Sequence, residues 1–595
     1  MKSLKFAVNK AGGMEVIKKS KFSFKLAPNL TDYQKACKNF LWKNYYQELT
    51  WFPGGKLNAA YNAVDRHLTT WRKNKVALYW EAEDGSEKKL TFEDLAEKSS
   101  QFGNFLRKIG VKRGDRVFIF LPRVPELYIA FLGILKVGAI AGTLFSAFQE
   151  QALADRLENS GACVLLTNSD LKPRVDKIRS KLKELKKIVV VDDPAFQKEL
   201  AKFPNQTRIA QMDPHEPAYM LYTSGTTGKP KGVVHHHLAI LQEHLTARWV
   251  LDLKDQDTYW CTADPGWVTG IAYEILGSWS NGVAAIVFEG RFNPERWYQI
   301  LEKYRVSIWY TAPTAIRMLM GAGEELPKKY NLSNLRHLAS VGEPLNPEAI
   351  RWGLKVFGLP FHDNWWQTET GAICIANYPC MDIKLGSMGK PVPGVEAGIV
   401  DDEARELKPG KEGNLALRPG WPAMMIKIWR RPKKYKSYFL TPGKKVASQD
   451  ASFKKGWYIT GDLAYNDKDG YYWFIGRADD VIKTAGERVG PFEVESSLVE
   501  HKAVVEAGVI GKPDPVRGEI IKAFVVLQKG YRPSEKLKEE LADYVKSHLA
   551  GHAYPREIEF IDRLPKTRSG KIMRRVLKAK ELGLPIGDIS TLEEY

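Results

Sequence analysis

Short runs of β-branched and aromatic residues alternate with longer helical stretches along most of this chain. Val117–Leu121 reads VFIFL behind the turn-forming Arg113-Gly114-Asp115, and Glu126–Val137 follows with helical spacing. Cys163–Thr167 (CVLLT) and Ile188–Val191 (IVVV) flank a lysine-rich stretch, Leu171–Lys187, read as a helix. A continuous apolar run of four or five residues suits a strand buried on both faces, and joining such strands through helices gives parallel, doubly wound sheets. The texture recurs at Val283–Phe288, Ile308–Thr311 and Leu335–Val341. From Gly398 to Ile475 it changes to short β runs rich in Gly, Trp and Tyr, which suggests a small barrel-like sheet. After Asp479 a compact α/β tail predicts strands at Val504–Ile510 and Ala523–Leu527 and a helix over Ser534–Ala550. The expected fold is therefore α/β: a helical lead-in over 1–50, a main body over 51–478 and a small α/β unit over 479–595. No internal repeat or low-complexity linker interrupts it.

Composition removes several classes. The chain has 595 residues, 44% hydrophobic and 27% charged, which is ordinary globular usage. Its longest apolar stretch, Leu127–Phe148, is broken by Lys136 and falls short of a membrane span. The start carries lysines without an apolar core, so no secretory signal is expected and the cytoplasm is. Five cysteines form no CxxC pair, against a disulfide framework or structural zinc. The net charge of +19 suits either a nucleic-acid partner or polyanionic ligands, and its even spread favours local anion sites. Neither a nucleic-acid nor a membrane partner is expected.

The strongest local signal is Tyr222-Thr-Ser-Gly-Thr-Thr-Gly-Lys-Pro-Lys-Gly232, after a strand candidate at Ala218–Leu221. Glycines at 225 and 228 allow close backbone approach. The hydroxyls of Thr223, Ser224, Thr226 and Thr227 and the ammoniums of Lys229 and Lys231 can wrap a polyphosphate. It is not a Walker A loop, because only two residues separate its glycines and Pro230 follows Lys229. A polar surface turn is the bland alternative, and the paired lysines disfavour it.

This loop resembles the phosphate loop of the adenylate-forming superfamily, which includes acyl-CoA synthetases, luciferases and peptide-synthetase adenylation domains. Further motifs follow in the family's order: Val341-Gly-Glu-Pro344, Asp363-Asn-Trp-Trp-Gln-Thr-Glu-Thr-Gly371, Tyr458-Ile-Thr-Gly-Asp462, Gly476-Arg-Ala-Asp-Asp480, Gly486-Glu-Arg-Val-Gly490 and Pro565-Lys-Thr-Arg-Ser-Gly-Lys571. The resemblance runs from about Gly54 to the C-terminus. Within the superfamily the residues look most like those of the AMP-forming acetyl-CoA synthetases. The body over 51–478 would then be the AMP-binding adenylation domain, and 479–595 a mobile domain.

The resemblance implies a nucleotide seat built by Thr223, Ser224, Gly225, Thr226, Thr227, Gly228 and Lys229 on the phosphates. Gly342, Glu343 and Pro344 would lie on one side of the adenine, with Asp363, Asn364 and Trp365 on the other. Gln367 belongs to the same ATP/AMP site, and Thr368 would touch the α-phosphate. Asp462 and Arg477 would hold the ribose; one carboxylate can accept from both hydroxyls. Singly, Asp462 reads as a turn acid and Arg477 as a solvated cation. Glu369 would hold Mg²⁺, since a hard cation prefers carboxylate oxygen, although a helix-capping acid is the bland reading. Lys571 would be the catalytic lysine of adenylation, offsetting repulsion between carboxylate and phosphate, with Arg488 acting similarly on the triphosphate. Val268, Thr269, Val341 and Trp366 would wall the acyl pocket, and the Trp366 indole leaves room for a two- or three-carbon tail. Gly486 would line the pantetheine entry, with Ala485 and Lys546 beside the CoA. The CoA 3′-phosphate has only Lys172 and Arg174 as weak candidates. Asp479 would be the hinge. Val499, His501 and Val504 match a structural Mg²⁺ site, although a lone His is more often a bland surface residue. His235-His236-His237 receives no metal.

The expected activity is ligation of acetate to CoA with ATP split to AMP and pyrophosphate through an acetyl-adenylate; a propionate or other short-chain synthetase is the alternative. A basic RNA-binding protein and a domain that loads a carrier protein are the competing readings. The first lacks interleaved aromatics near Lys571. The second lacks a carrier-like segment. Acetylation of Lys571 by an acetyltransferase, reversed by a deacetylase, is a further implication. Oligomeric state stays open.

Overall fold

The computed structural model describes residues 6–11, 14–20, 23–225, 228–442, 456–484, 487–549, 552–567, 571–586 and 592. Two large mixed sheets form the body. The seven-stranded sheet runs, edge to edge, Lys427–Ile428, Gly228–His236, Pro217–Gly225, Ile140–Leu144, Arg116–Phe120, Val164–Thr167 and Lys187–Val190. The nine-stranded sheet has a parallel centre of Phe361–Trp365, His337–Ser340, Ile308–Thr311, Thr258–Cys261, Ala284–Phe288 and Val76–Glu81. Antiparallel strands finish both of its edges. The expected parallel strands are present because their runs are buried throughout: all five residues of Ala284–Phe288 and all four of Ile308–Thr311 are inaccessible.

The texture change after Gly398 corresponds to a separate antiparallel sheet of Ala397–Val400, Gly413–Leu417, Trp457–Asn466 and Phe439–Leu440, with Tyr472–Arg477 paired to Trp457–Asn466. Beyond it, Ile482–Thr484, Glu487–Val489, Val504–Asp514, Gly518–Leu527 and Glu557–Phe560 make the C-terminal sheet, which has its own apolar core around Val494, Val509, Val525 and Leu541.

Two expectations differ from the structure. The first 50 residues are not a helical lead-in: Ala7–Ala11 and Met14–Lys18 form a hairpin, and the latter pairs with Ile383–Lys384. Val16 and Ile17 are buried by that distant partner, a contact that local periodicity does not carry. Helix is limited here to Tyr33–Cys37 and a 3₁₀ stretch at Trp42–Glu48. The Leu171–Lys187 stretch is helical only over Lys172–Ile178, with one 3₁₀ turn to Lys181. The Arg179 guanidinium bonds the carbonyls of Leu182 and Leu185 at 3.1 and 2.6 Å, which folds the chain back. Among the described residues, no helix is long and apolar enough to cross a membrane.

Candidate active site

Three neighbouring parallel strands end together and present the residues of two motifs. Ser340, the last residue of His337–Ser340, lies opposite Thr311 on one side and Asp363 on the other. Beyond their carboxyl ends follow Val341-Gly342-Glu343 and Trp365-Trp366-Gln367, the place where open α/β sheets bind ligands. Gly342 sits at φ +100° with nothing near the position a Cβ would take, so its freedom serves the backbone turn over this opening. Glu343 is held by Arg317 at 2.9 Å and Thr314 at 3.1 Å. Asp363 is buried; one oxygen accepts a 3.4 Å bond from the Leu345 amide and the other has no partner among the described residues. Burial raises its pKa well above the carboxylate range. Asn364 accepts from the Tyr310 hydroxyl at 2.9 Å and donates to the Ser340 carbonyl at 2.8 Å.

On the facing sheet, Asp462 and Arg477 are cross-strand partners in antiparallel register and form a 2.7 Å ion pair. The second Asp462 oxygen accepts from the Trp365 indole and the Gln367 amide, both at 2.9 Å. Tyr458 donates to Gln367 Oε1 at 2.8 Å and fixes the orientation of that amide. Burial alone would lower the Arg477 pKa; the charge of Asp462 overrides it and raises the value. Gly461, at φ +76°, leaves no slack: a Cβ there would meet the Arg477 guanidinium at 3.1 Å.

The described residues of the Tyr222–Gly232 motif lie where the antiparallel strands Pro217–Gly225 and Gly228–His236 pair, Gly225 opposite Gly228. Thr226 and Thr227, like the Ser224 and Lys229 side chains, lie outside the described residues. Thr223 keeps a buried hydroxyl with no hydrogen bond among the described residues. Lys231, one register step from the Gly225–Gly228 pair, forms a 2.8 Å ion pair with Glu369. Tyr438, which no sequence motif marks, hydrogen-bonds both of them: it accepts from Lys231 and donates to Glu369 Oε1 at 3.2 Å. Burial would raise the Glu369 pKa, but the Lys231 charge outweighs it and holds the carboxyl below the usual range.

Beneath the hairpin lie the three consecutive histidines, all buried. His235 bonds the Ala423 carbonyl at 3.0 Å and His236 the Pro422 carbonyl at 2.7 Å. A carbonyl only accepts, so each ring nitrogen there carries a proton. His237 accepts from the Ala59 amide at 3.1 Å. Burial lowers their pKa values to about 4, 3 and 3. All three are neutral, and His235 and His236 are struts that fix the 422–425 segment, whose Met425 amide grips the Glu369 carbonyl.

Trp366 stands edge-on to Tyr273 with centroids 5.1 Å apart, and its indole reaches the Tyr310 hydroxyl at 3.4 Å. Val268, at 7% exposure, and Val341, also at 7%, belong to the same core cluster, and Trp366 packs on it. Thr269 directly precedes the π-helical turn Gly270–Leu276 that carries Tyr273. The sequence pointed to Trp366 but not to Tyr273 or Tyr310, which reach it from other strands and helices.

In the C-terminal unit, Lys571 closes a short loop: Thr567 donates its amide to the Lys571 carbonyl at 2.8 Å, and Lys571 returns its own to the Thr567 hydroxyl at 3.1 Å. Its side chain keeps solvent-accessible surface yet is crowded by protein. Desolvation, then the Arg477 charge, lowers its pKa. Arg574 bonds Glu495 at 2.9 Å, and Asn346 reaches across to Ser496 at 3.0 Å. Asp479 is exposed in the turn after Tyr472–Arg477. Ala485 and Gly486 and the Arg488 side chain lie outside the described residues. Lys546 is exposed, its ammonium 5.5 Å from the Tyr554 ring. Lys172 pairs with Asp176 and Arg174 with the backbone of Ser146 and Phe148, so both have local work. The His501 ring does not present a lone pair to a cation: Nδ1 accepts from the Ala503 amide at 3.3 Å, so the proton sits on Nε2, 3.1 Å from Glu540. The Mg²⁺ expected at Val499, His501 and Val504 does not fit that arrangement. Among the described residues no group of three His, Cys, Asp or Glu side chains is placed to hold a metal.

The family model described as AMP-binding enzyme matches residues 64–426, and that described as AMP-binding enzyme C-terminal domain matches residues 493–571. The chain is 56% identical to acetyl-coenzyme A synthetase of Bacillus subtilis (strain 168) over 575 residues, covering 95% of this chain and 98% of that one. It is 45% identical to acetyl-coenzyme A synthetase of Methanothrix thermoacetophila, covering 91% and 86%. Among solved structures, an acyl-CoA synthetase of Brucella canis superposes with a TM-score of 0.71 at 35% identity, covering 93% of this chain and 99% of that one. An anthranilate CoA ligase in complex with anthranoyl-AMP superposes with a TM-score of 0.80 at 31% identity, covering 89% and 98%.

Proposed function

The chain belongs to the AMP-binding enzyme family, and from that premise we propose that it is an acetate–CoA ligase that forms AMP. Acetate attacks the α-phosphorus of ATP and releases pyrophosphate; the CoA thiol then attacks the acyl carbon of acetyl-adenylate and releases AMP. The observation that carries this reading is the hydrogen-bonded cluster of Asp462, Arg477, Trp365 and Gln367, set at the strand ends next to the Trp366 indole.

Asp462 holds the ribose hydroxyls, and Arg477 keeps the carboxylate ionised and aimed. The segments Gly342–Pro344 and Asp363–Trp365 hold the adenine between them, and Thr368 reaches the α-phosphate. The hairpin tip at Thr223–Lys229, together with Arg488, receives the triphosphate. Lys571 supplies the cation between the attacking carboxylate and the phosphate; Arg477 repels it in the free protein, and the arriving anion relieves that repulsion. Gly486, Ala485 and Lys546 serve CoA once the C-terminal unit turns about Asp479. The donor set around Glu369 fits Mg²⁺: it is a buried carboxylate whose pKa Lys231 holds below the usual range, and Lys231 and Tyr438 both meet its Oε1. Bound there, Mg²⁺ supplies positive charge to the leaving phosphates. Acetylation of Lys571 would remove the cation and stop the first step. The reaction requires only small, soluble substrates, which suits a cytoplasmic enzyme.

Acetate is favoured because Trp366 is braced by Tyr273 and Tyr310, and so large and fixed a side chain suits a short acyl tail. One methylene is worth about 1–3 kcal/mol in such a pocket, so propionate is tolerated. The test supplies purified protein with ATP, Mg²⁺ and CoA and a panel of acetate, propionate and butyrate, and measures AMP. Production of ADP, or nucleotide turnover without a carboxylate, overturns the proposal. In the same assay Trp366→Gly shifts preference toward butyrate and longer acids by about 10- to 200-fold per methylene accommodated.

A further inference from the structure

Tyr438 lies between Lys231, one of the two lysines of the phosphate-loop motif, and Glu369, which the proposed function gives to Mg²⁺. A phenol has one proton, and here it goes to Glu369 while the oxygen accepts from Lys231. With the direct Lys231–Glu369 pair at 2.8 Å, the three groups close a ring of hydrogen bonds. The Tyr438 ring is itself held. It stacks on Tyr458 with centroids 5.7 Å apart and 23° between planes, and the ammoniums of Lys231 and Lys434 lie 5.0 and 5.1 Å from its centre. Its carbonyl accepts from the Ile459 amide at 2.8 Å, on the strand that carries Asp462. Lys231 is mostly buried, and its ammonium meets Glu369 and the Tyr438 oxygen.

We infer that the Tyr438 hydroxyl is a latch on the triphosphate seat, holding Lys231 and Glu369 to each other until a magnesium polyphosphate takes its place. The inference rests on the proposed function. An anionic phosphate oxygen is a better acceptor for the Lys231 ammonium than a phenol, and a cation is a better partner for Glu369 than a phenolic proton. Binding therefore breaks both Tyr438 bonds and must recover their free energy. AMP, which lacks the β- and γ-phosphates, leaves the latch closed. Tyr438 is a positioning residue: it sets the resting arrangement of two binding groups.

The test is Tyr438→Phe, which keeps the ring and its stack but removes the hydroxyl. Calorimetric titration is expected to show MgATP and magnesium pyrophosphate binding about tenfold more tightly than to the unaltered protein, with AMP affinity unchanged. Equal or weaker MgATP binding, or a parallel gain for AMP, overturns the latch. A second measurement needs no loss of side chain: with fluorotyrosine at 438, the ¹⁹F resonance should shift on adding magnesium pyrophosphate and stay in place with AMP. An unmoved signal with pyrophosphate also overturns it. Acetate-dependent AMP formation by the unaltered protein is run alongside. Its absence rejects the proposed function, whereas its presence with unchanged Tyr438→Phe affinities rejects the latch alone.

Discussion

The proposed ribose side of the site and the floor beneath the Pro217–His236 hairpin are built from opposite electrostatics. Around Asp462 the protein commits a full ion pair, two further donors and an antiparallel register that places Arg477 directly across. Beneath the hairpin His235, His236, His237 and Glu243 are all neutral. His235 stacks on Tyr219 at 5.0 Å, the Tyr219 hydroxyl donates to Glu243 at 2.7 Å, and burial pushes Glu243 up to about 8 while it pulls His235 down to about 4. A fixed charge is useful where the ligand group is neutral and needs a strong acceptor, as with sugar hydroxyls. Where the ligand brings several negative charges of its own, a neutral floor leaves the field to the few lysines at the rim.

The harshest way to break this contrast is to remove Lys571, a cation that the proposed function brings from the other unit. Lys571→Ala should lower acetate-dependent pyrophosphate exchange by about a thousandfold, while thioester formation from supplied acetyl-adenylate persists. Equal loss of both half-reactions would remove the division of labour. Next in size, Asp462→Asn keeps the shape but strands Arg477 without its anion. The expected result is a rise in the KM for ATP of about a hundredfold, with the KM for acetate nearly constant; a change confined to acetate would contradict the ribose assignment. The smallest effect concerns the floor. The folded pKa of Glu243 lies above its unfolded value, so its contribution to stability is complete below about pH 4.5 and is lost as pH rises through about 8. Glu243→Gln removes that dependence. Its stability relative to the unaltered protein, read from urea midpoints, should grow by about 1.4 kcal/mol per pH unit between pH 5 and 8. A pH-independent difference would show that Glu243 is ionised in the fold.

The proposed site residues Asp462, Arg477, Trp366 and Lys571 could be named from the sequence because each lies in a short motif of the family. Strands such as Ile308–Thr311 were legible because burial on both faces leaves an unbroken apolar run. What escaped depends on contacts between distant segments. Val16 and Ile17 read as helix until Ile383 is placed beside them. Tyr438 sits in a lysine-rich run with no pattern of its own, and only the fold sets it against Lys231 and Glu369. The histidine triplet shows the converse: three imidazoles in a row look like a metal cluster, yet strand geometry and the carbonyls of Pro422 and Ala423 turn them into struts.

Arg477 is the last residue of its strand, and the exposed turn at 478–480 begins with the next. Under the proposed turn about Asp479, the grip on the sugar would sit beside the axle. Such a rotation would sweep Lys571 through a wide arc while scarcely displacing the Arg477 guanidinium, so one bound nucleoside would serve as the stationary centre for two successive reactions.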